Sequence, residues 1–310
     1  MMKLVSVKEN GSIRLGIEID GKAADAAASY ERLLNEKPPR FLRRMDIFLR
    51  HGERAMDAAR RVEEAARQHP GDAVWADGSL AAPVHNPPKL LCLAGNYAEH
   101  IREGGGNALE KERTTPRVFM KPPTTTIIGP GEAIRIPKTA GWIDWEAELA
   151  VVMGKRAKRV SAEKALEYVA GYTIVNDVSE RALTYEQDRE PREGDRWFDW
   201  LNGKWCDTFA PQGPCLTTAD AIPNPDGLDI RLSVNGVVKQ DANTNQMIYS
   251  CAELIEWTSR LIALEPGDVI ATGTPAGVGR PQGERLHSGD VVEIFVEKIG
   301  TLTNPVLDEE

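Results

Sequence analysis

Two glutamates, Glu146 and Glu148, are separated by a single residue at the head of an apolar run that continues through Val152. If this stretch is a β-strand, successive side chains alternate between its two faces, so both carboxylates point the same way. Two like charges side by side at the edge of a core cost free energy unless something compensates them. The pattern therefore predicts a largely buried strand whose carboxylates meet a positive charge, and a hard divalent cation is the simplest one.

A third carboxylate, Asp177, occurs in a similar setting, within residues 171–179, which we interpret as a strand running into a turn. Three carboxylates from two strands suit Mg²⁺ or Mn²⁺, with Ca²⁺ as a further option, because these ions prefer oxygen ligands. Three protein ligands leave positions open for water and substrate, which is typical of a catalytic metal. The same pattern also fits a solvated strand edge that carries charged residues, so spacing alone leaves both interpretations open.

His100 and Glu103 are three residues apart, which makes them neighbours on a helical turn. A carboxylate beside an imidazole raises the basicity of the ring and fixes its tautomer, as a general base requires. Gly104, Gly105 and Gly106 follow and would let this turn move as a lid. An ordinary exposed pair of residues on a helix surface gives the same spacing.

Two other segments hold residues that suit anion binding. Residues 271–279 are rich in glycine and offer backbone N–H groups and hydroxyls that could hold a carboxylate. They do not form a P-loop, because the Gly-Lys-Ser/Thr ending is absent, and a plain glycine-rich turn is the alternative. Lys204 could stabilise a developing anion, although most lysines are simply solvated.

The composition excludes several classes of function. The 310 residues are 41% hydrophobic and 27% charged, with a formal net charge of −9, so nucleic acid and anionic membranes are not expected partners. No stretch approaches the roughly 20 apolar residues of a membrane span, and the N-terminus lacks an apolar signal core. The four cysteines form no C-x-x-C pair, which favours buried free thiols in a reducing compartment. We therefore expect a cytoplasmic protein.

Hydrophobic periodicity divides the chain into two parts. Residues 1–85 show a hairpin pattern followed by three helical segments, near 25–36, 40–50 and 53–68, which predicts a small α/β domain. Residues 86–310 contain mainly strands and turns, with one clear helix over 250–264 that begins with a Ser250–Glu253 capping box. We expect a larger, mainly β domain of the α+β class, with rolled or sandwich-like sheets and a few flanking helices.

Taken in order, these segments resemble the fumarylacetoacetate hydrolase family. The similarity covers most of residues 89–306, and its specificity comes from the ordered set rather than from any one segment. The matching stretches are residues 92–103, 119–123, 128–131, 144–155, 171–181, 203–214, 265–279 and 289–306. Residues 1–85 look like the variable N-terminal domain of longer members.

The resemblance implies a mixed, rolled β-sheet fold, a homodimer and a small-molecule oxo-acid substrate. It also implies a role for each of nine residues. The roles are Mg²⁺ or Mn²⁺ ligands (Glu146, Glu148 and Asp177), a water-activating dyad on a lid (His100 and Glu103), an active-site lysine (Lys204) and substrate contacts (Thr274, Arg181 and Lys121).

The sequence departs from the family pattern in three places. Gly95 stands where many members have an arginine, and Thr184 stands where some place a glutamine on the substrate. The segment formed by residues 185–201 is longer and more charged than is usual in the family. These departures affect the identity of the substrate and leave the metal site and the dyad intact.

The leading functional hypothesis is metal-dependent hydrolysis of a carbon–carbon bond in a 2,4-dioxo acid of the acylpyruvate type. In this scheme His100, oriented by Glu103, activates water, and Lys204 helps to stabilise the pyruvate enolate that leaves. Two alternatives use the same site: decarboxylation of a 2-oxo dicarboxylate such as oxaloacetate, and isomerisation of an unsaturated 2-hydroxy acid. A non-catalytic metal- or ligand-binding protein on the same fold is a third.

Overall fold

The structure is a computed structural model that describes residues 1–109, 111–183, 190 and 192–310. Position 184, one of the three departures, and part of the 185–201 stretch therefore lie outside the described residues. The strands are β1 (Lys3–Glu9), β2 (Ser12–Ile19), β3 (Lys22–Asp25), β4 (Ser79–Ala81), β5 (Leu90–Ala94), β6 (Arg117–Lys121), β7 (Ile127–Ile128), β8 (Ile134–Ile136), β9 (Ile143–Asp144), β10 (Ala147–Met153), β11 (Val169–Asn176), β12 (Ser179–Glu180), β13 (Ala210–Thr218), β14 (Asp229–Val234), β15 (Val237–Asn243), β16 (Val269–Ala271), β17 (Val291–Val296) and β18 (Gly300–Asp308).

Helices are fewer and mostly short in the described part of the chain. The α-helices are α1 (Ala26–Leu34), α2 (Met45–Leu49), α3 (Gly52–Gln68), α4 (Ala98–Glu103), α5 (Pro123–Thr126), α6 (Ala162–Ala165), α7 (Asp195–Asn202), α8 (Cys251–Leu261) and α9 (Gly279–Gln282). Single 3₁₀ turns occur at Arg40–Arg43, Lys111–Arg113, Leu166–Tyr168, Ala219–Ala221 and Thr244–Gln246. None of these helices has both the length and the apolar character that crossing a bilayer requires.

An eleven-stranded mixed sheet forms the centre of the molecule. Its main order is β3-β2-β1-β13-β11-β10-β16-β5-β6, with β4 beside β1 and β7 beside β13. Most neighbours are antiparallel, whereas β16 pairs with β5 in parallel. A five-stranded sheet, β15-β14-β17-β18-β8, and a two-stranded ribbon of β9 and β12 complete the set. The expected α+β class is confirmed.

The central strands β10 and β11 separate two hydrophobic clusters. On one face of β10, Leu149 and Val151 join the cluster that contains Ile230 and Ile294 of the five-stranded sheet. On the other face, Ala150 and Val152 join the cluster that contains the helices of the N-terminal region. Both faces of β10 are therefore covered, which explains its continuous apolar sequence.

The N-terminal region shares the large sheet. The predicted hairpin forms, with β1 and β2 joined by a turn at Asn10 and Gly11, both of which have positive φ. Strand β1 then pairs with β13, placing Leu4 opposite Leu216. Strand pairing thus crosses the predicted boundary at residue 85, and the division into two domains stays a prediction.

One predicted helix is interrupted in the structure. The pattern over residues 40–50 predicts a single helix, but a 3₁₀ turn and α2 form there, separated by Arg44. Arg44 has an extended backbone, with φ −150° and ψ 144°, and its guanidinium bonds the Asp46 carboxylate, Nε to Oδ1 at 3.0 Å. Elsewhere α8 begins after Ser250 with the predicted capping box.

Candidate active site

A break between β9 and β10 positions the paired glutamates. The sequence predicts one strand that holds both glutamates and the apolar run through Val152, but β9 ends at Asp144 and β10 begins at Ala147, so Glu146 lies outside regular strand structure. Side chains replace the ladder bonds there: Asn176 Oδ1 accepts from Glu146 N at 3.0 Å, and Gln240 Oε1 accepts from Ala147 N at 3.0 Å. These contacts satisfy backbone N–H groups that would otherwise be buried without a partner.

The three predicted ligands converge despite this break. Asp177 directly follows β11, which pairs with β10 and places Ala147 opposite Asn176. One carboxylate oxygen each from Glu146, Glu148 and Asp177 lies within 4.8 Å of the others, and all three residues are buried. The site lies on the face of β10 that Glu148, Ala150 and Val152 share by alternation.

A lysine joins two of these carboxylates. Lys204 Nζ lies 2.9 Å from Glu146 Oε2 and 2.7 Å from Asp177 Oδ2. It also faces the rings of Phe119 and Trp200, at 5.3 and 5.7 Å from their centroids. Burial lowers the pKa of this ammonium, but Asp177 and Glu146 more than offset burial and raise it above its usual value. Lys204 is therefore a permanent cation within the acidic cluster.

Lys121 is held still more firmly, and its ammonium is fully engaged. Its Nζ donates to Asp177 Oδ1 at 2.5 Å, to the Val178 carbonyl at 2.9 Å and to the Phe209 carbonyl at 2.7 Å. These three acceptors account for all three protons of the ammonium. The side chain is 0% exposed. This geometry favours a positioning role toward Asp177 over the direct substrate contact that the resemblance implied.

Arg181 is the third cation of the cluster. Its Nη2 bonds Glu146 Oε1, and its Nε lies 3.1 Å from Asp144 Oδ2. Asp144 also accepts from the backbone N–H groups of Gly279 and Arg280, so it ties Arg181 to the turn that opens α9. This role of Asp144 could not be predicted from the sequence, because its carboxylate bonds backbone groups 135 and 136 residues away.

The surroundings shift the pKa values of the two glutamates in opposite directions. Burial and the neighbouring carboxylates of Asp177 and Glu146 raise the pKa of Glu148 well above its usual value. Glu146 moves the other way: although burial opposes it, Lys204, Arg181 and His100 lower its pKa. Glu148 Oε2 accepts from Gly273 N at 2.9 Å, whereas Oε1 is buried without a partner.

These observations fit a hard divalent cation. The donor set consists of carboxylate oxygens, and the unpartnered Glu148 oxygen is a buried acceptor that a cation would satisfy. The described cluster contains four carboxylates (Asp144, Glu146, Glu148 and Asp177) and three cations (Lys121, Arg181 and Lys204). Full ionisation leaves one excess negative charge, and a divalent cation would change this to one excess positive charge, which attracts an anionic substrate.

The predicted dyad forms on helix α4. His100 Nδ1 lies 2.8 Å from Glu103 Oε1, and Glu103 Oε2 accepts from Gly277 N at 2.8 Å. With Glu103 ionised, Nδ1 carries the proton and Nε2 is left as the basic nitrogen. Gly277 has φ +104°, and a Cβ there would stand 2.1 Å from the Lys239 carbonyl oxygen, so glycine is required where the helix docks.

Thr274 follows the glycine that bonds Glu148. Its side chain is buried, and its Oγ1 accepts a 2.8 Å hydrogen bond from Gln240 Nε2. The structure thus brings the metal-ligand candidates together with Lys204, Arg181 and Lys121, and links Glu103 and Thr274 to one loop at residues 271–279. Gln240 could not be predicted from the sequence, since a lone glutamine carries no spacing signal, whereas Asp144 shares the two-residue spacing of Glu146 and Glu148.

Comparisons with known proteins agree with this architecture. The family profile described as fumarylacetoacetate (FAA) hydrolase C-terminal matches residues 89–307. The mitochondrial oxaloacetate tautomerase fahd2 from Xenopus laevis is 38% identical to this chain over 312 residues. The match covers 99% of this chain and 90% of the relative.

Two solved structures share the fold over the whole chain. A fumarylacetoacetate hydrolase from psychrophilic Exiguobacterium antarcticum has a TM-score of 0.77 at 29% identity, with 100% of both chains covered. A maleylpyruvate hydrolase from Sphingobium sp. SYK-6, in complex with manganese(II) and pyruvate, has a TM-score of 0.73 at 28% identity, again with 100% of both chains covered. The chain therefore belongs to the fumarylacetoacetate hydrolase family.

Proposed function

We propose that this protein is a metal-dependent tautomerase that moves a proton between carbon and oxygen of a 2-oxo dicarboxylate of the oxaloacetate type. The observation that carries the proposal is the His100–Glu103 pair, a preset proton-transfer group beside the buried carboxylates. The oxaloacetate tautomerase from Xenopus laevis, similar over almost the whole chain, supports this choice of reaction and substrate.

The metal would be held by Glu146, Glu148 and Asp177, with Mg²⁺ or Mn²⁺ preferred. When bound, it would polarise a 2-oxo group as a Lewis acid and so make the neighbouring C3–H bond more acidic. The manganese(II) in the maleylpyruvate hydrolase is consistent with such an ion. We also propose a homodimer, as the family resemblance implies.

The chain's own residues divide the proton transfer among them. In the enol-to-keto direction, the basic His100 Nε2 takes the proton of the 2-hydroxyl and then gives it to C3, so the substrate loses and regains one proton and His100 ends in its starting state. Glu103 keeps the imidazole oriented through Nδ1. The Lys204 ammonium stabilises the negative charge on the 2-oxygen, and the Thr274 hydroxyl holds the substrate carboxylate.

Hydrolysis of an acylpyruvate is the second candidate. The maleylpyruvate hydrolase is similar over its full length, and the same dyad that moves a proton at carbon can take one from water. In that reaction the C3–C4 bond breaks, with a carboxylic acid and pyruvate as products. The first reaction leaves the carbon skeleton intact, so product analysis separates the two.

The test is a substrate panel with product identification. Enol oxaloacetate and an acylpyruvate are each incubated with purified protein and Mg²⁺, with Mg²⁺ alone as the blank. Ultraviolet absorbance follows loss of the enol, and chromatography detects pyruvate, carboxylic acid and CO₂. The proposal expects the enol to be lost faster than in the blank, with this acceleration abolished by chelator and with no more fragments than in the blank. Additional fragments from oxaloacetate, or enol loss at the rate of the blank, would refute it.

A further inference from the structure

The side-chain amide of Gln240 bridges the two large sheets at the active site. Gln240 belongs to β15 of the five-stranded sheet and is 0% exposed. Its Oε1 accepts from Ala147 N at 3.0 Å, and its Nε2 donates to Thr274 Oγ1 and to the Pro275 carbonyl, each at 2.8 Å. Ala147 lies between the two glutamates, so this amide contacts both the carboxylate cluster and the 271–279 loop.

The contacts of Gln240 allow only one orientation of its amide. Ala147 N–H is purely a donor and needs the amide oxygen, whereas the Pro275 carbonyl is purely an acceptor and needs the amide nitrogen. Rotating the amide by 180° would set two donors against each other and two acceptors against each other. The nitrogen therefore faces Thr274.

This orientation determines the role of the Thr274 hydroxyl. Nε2 of Gln240 can only donate, so Thr274 Oγ1 accepts that bond and retains its own single proton for another partner. We propose that Gln240 is a positioning residue that makes the Thr274 hydroxyl a fixed donor to the substrate carboxylate. The inference rests on the proposed function, which places the carboxylate against Thr274.

The benefit of such an arrangement lies in preorganisation. An unconstrained hydroxyl rotates and bonds to whichever acceptor is near, and it must give up that bond when substrate arrives. A hydroxyl that already accepts from Gln240 loses no bond on binding an anion. Hydrogen bonds to charged groups are worth about 1.5–3 kcal/mol, which corresponds to roughly 10–100-fold in Kd.

Oxalate is a suitable probe, because it is a small dicarboxylate that resembles the planar head of a 2-oxo acid. Its binding to the Mg²⁺-loaded protein is measured by calorimetry in the wild type and in Thr274→Val, Gln240→Glu and the double variant. Gln240→Glu keeps an acceptor for Ala147 N–H but replaces the donor facing Thr274 with a second acceptor, which captures the hydroxyl proton. Gln240→Met, of similar size, serves if the glutamate does not fold.

Each single variant is expected to weaken oxalate binding about 10–100-fold, while the Mg²⁺-induced rise in melting temperature persists in Thr274→Val and Gln240→Glu. The double variant is expected to bind no more weakly than Thr274→Val alone, because Gln240 acts through that hydroxyl. Repulsion of oxalate by a buried glutamate would instead persist in the Thr274→Val background, so an additive double variant overturns the proposal.

The same experiment separates this inference from the proposed function. Unchanged oxalate binding in Thr274→Val would show that Thr274 does not bind the carboxylate, and would thereby refute the positioning role of Gln240. A non-additive cycle in a wild type that does not tautomerise oxaloacetate would refute the proposed reaction and leave the positioning role of Gln240 standing.

Discussion

Glu103 connects His100 to Gly277. One carboxylate oxygen meets the imidazole Nδ1 at 2.8 Å and the other accepts from the Gly277 N–H at 2.8 Å. A single side chain thus sets the tautomer of the base and docks helix α4 on the 271–279 loop. These two effects can be separated, because a glutamine at position 103 preserves the bond to Gly277 and reverses the preferred tautomer of His100.

We predict that Glu103→Gln lowers kcat about as much as His100→Ala does. The glutamine carbonyl still accepts from Gly277, but its NH₂ group donates to Nδ1 and so stabilises the tautomer that carries its proton on Nε2. Loss of a positioned general base typically costs about 10²–10⁴-fold. Steady-state kinetics check this, with the exposed His69→Gln as a control expected to match the wild type.

The Mg²⁺-induced rise in melting temperature should survive in both variants, since neither residue belongs to the carboxylate triad. Near-wild-type turnover in Glu103→Gln would show that the tautomer is not set by this contact.

A second prediction concerns Glu148, which is buried beside two other carboxylates and keeps one oxygen unpartnered. Glu148→Gln should abolish the stabilisation by Mg²⁺, because one of three charged ligands is lost. Without metal, its melting temperature should equal or exceed that of the wild type, since the amide removes a buried like charge. Melting curves with and without Mg²⁺ test this, with exposed Glu31→Gln as the control.

A wild-type melting curve that ignores Mg²⁺ would contradict the metal site itself. A Glu148→Gln variant that still responds to Mg²⁺ would show that Glu146 and Asp177 suffice.

Much of this site could be predicted from the sequence, because its parts are local or ordered along the chain. The helical spacing of His100 and Glu103 and the paired glutamates are local signals, and the resemblance supplied Lys204 and Thr274. The break at Glu146 could not be predicted, because it depends on Asn176 and Gln240 replacing ladder bonds from 30 and 93 residues away.

The full hydrogen bonding of the Lys121 ammonium could not be predicted for the same reason. Its acceptors on Asp177, Val178 and Phe209 are 56, 57 and 88 residues away in the sequence. The sequence therefore gives no sign that all three ammonium protons are hydrogen-bonded. The fold itself was more accessible, since the alternation of β14 and β17 and the capping box of α8 are encoded within single elements.

A third prediction tests the positioning role of Lys121. Lys121→Met leaves Asp177 Oδ1 and two buried carbonyls without a donor, and breaking a buried charge pair costs about 3–5 kcal/mol of unfolding free energy. Urea denaturation measures this loss. Lys8→Met is the control, because the Lys8–Glu132 pair is solvent-exposed and its removal should change stability by less than about 0.5 kcal/mol.

A Lys121→Met variant as stable as the wild type would remove the structural role, and the direct substrate contact would again be the better interpretation of this lysine.

The last prediction concerns the free thiols. Burial raises the pKa of Cys215 to about 11 and raises the pKa values of Cys92 and Cys251 well above the usual range. Because the thiolate is the reactive species, a raised pKa lowers reactivity at any given pH below it, and a pKa near 11 leaves only about a thousandth of the thiol ionised at pH 8.

We therefore expect a disulfide reagent at pH 8 to label the half-buried Cys206 first in the native protein, and the other three only after unfolding. Burial also raises the pKa of Cys206, so its labelling rate should climb as the pH rises. Counting labelled thiols against time checks this, and Cys206→Ser should abolish the early phase. An early phase that persists in this variant would mean that one of the buried strands or α8 opens in the native state, because only opening exposes those thiols.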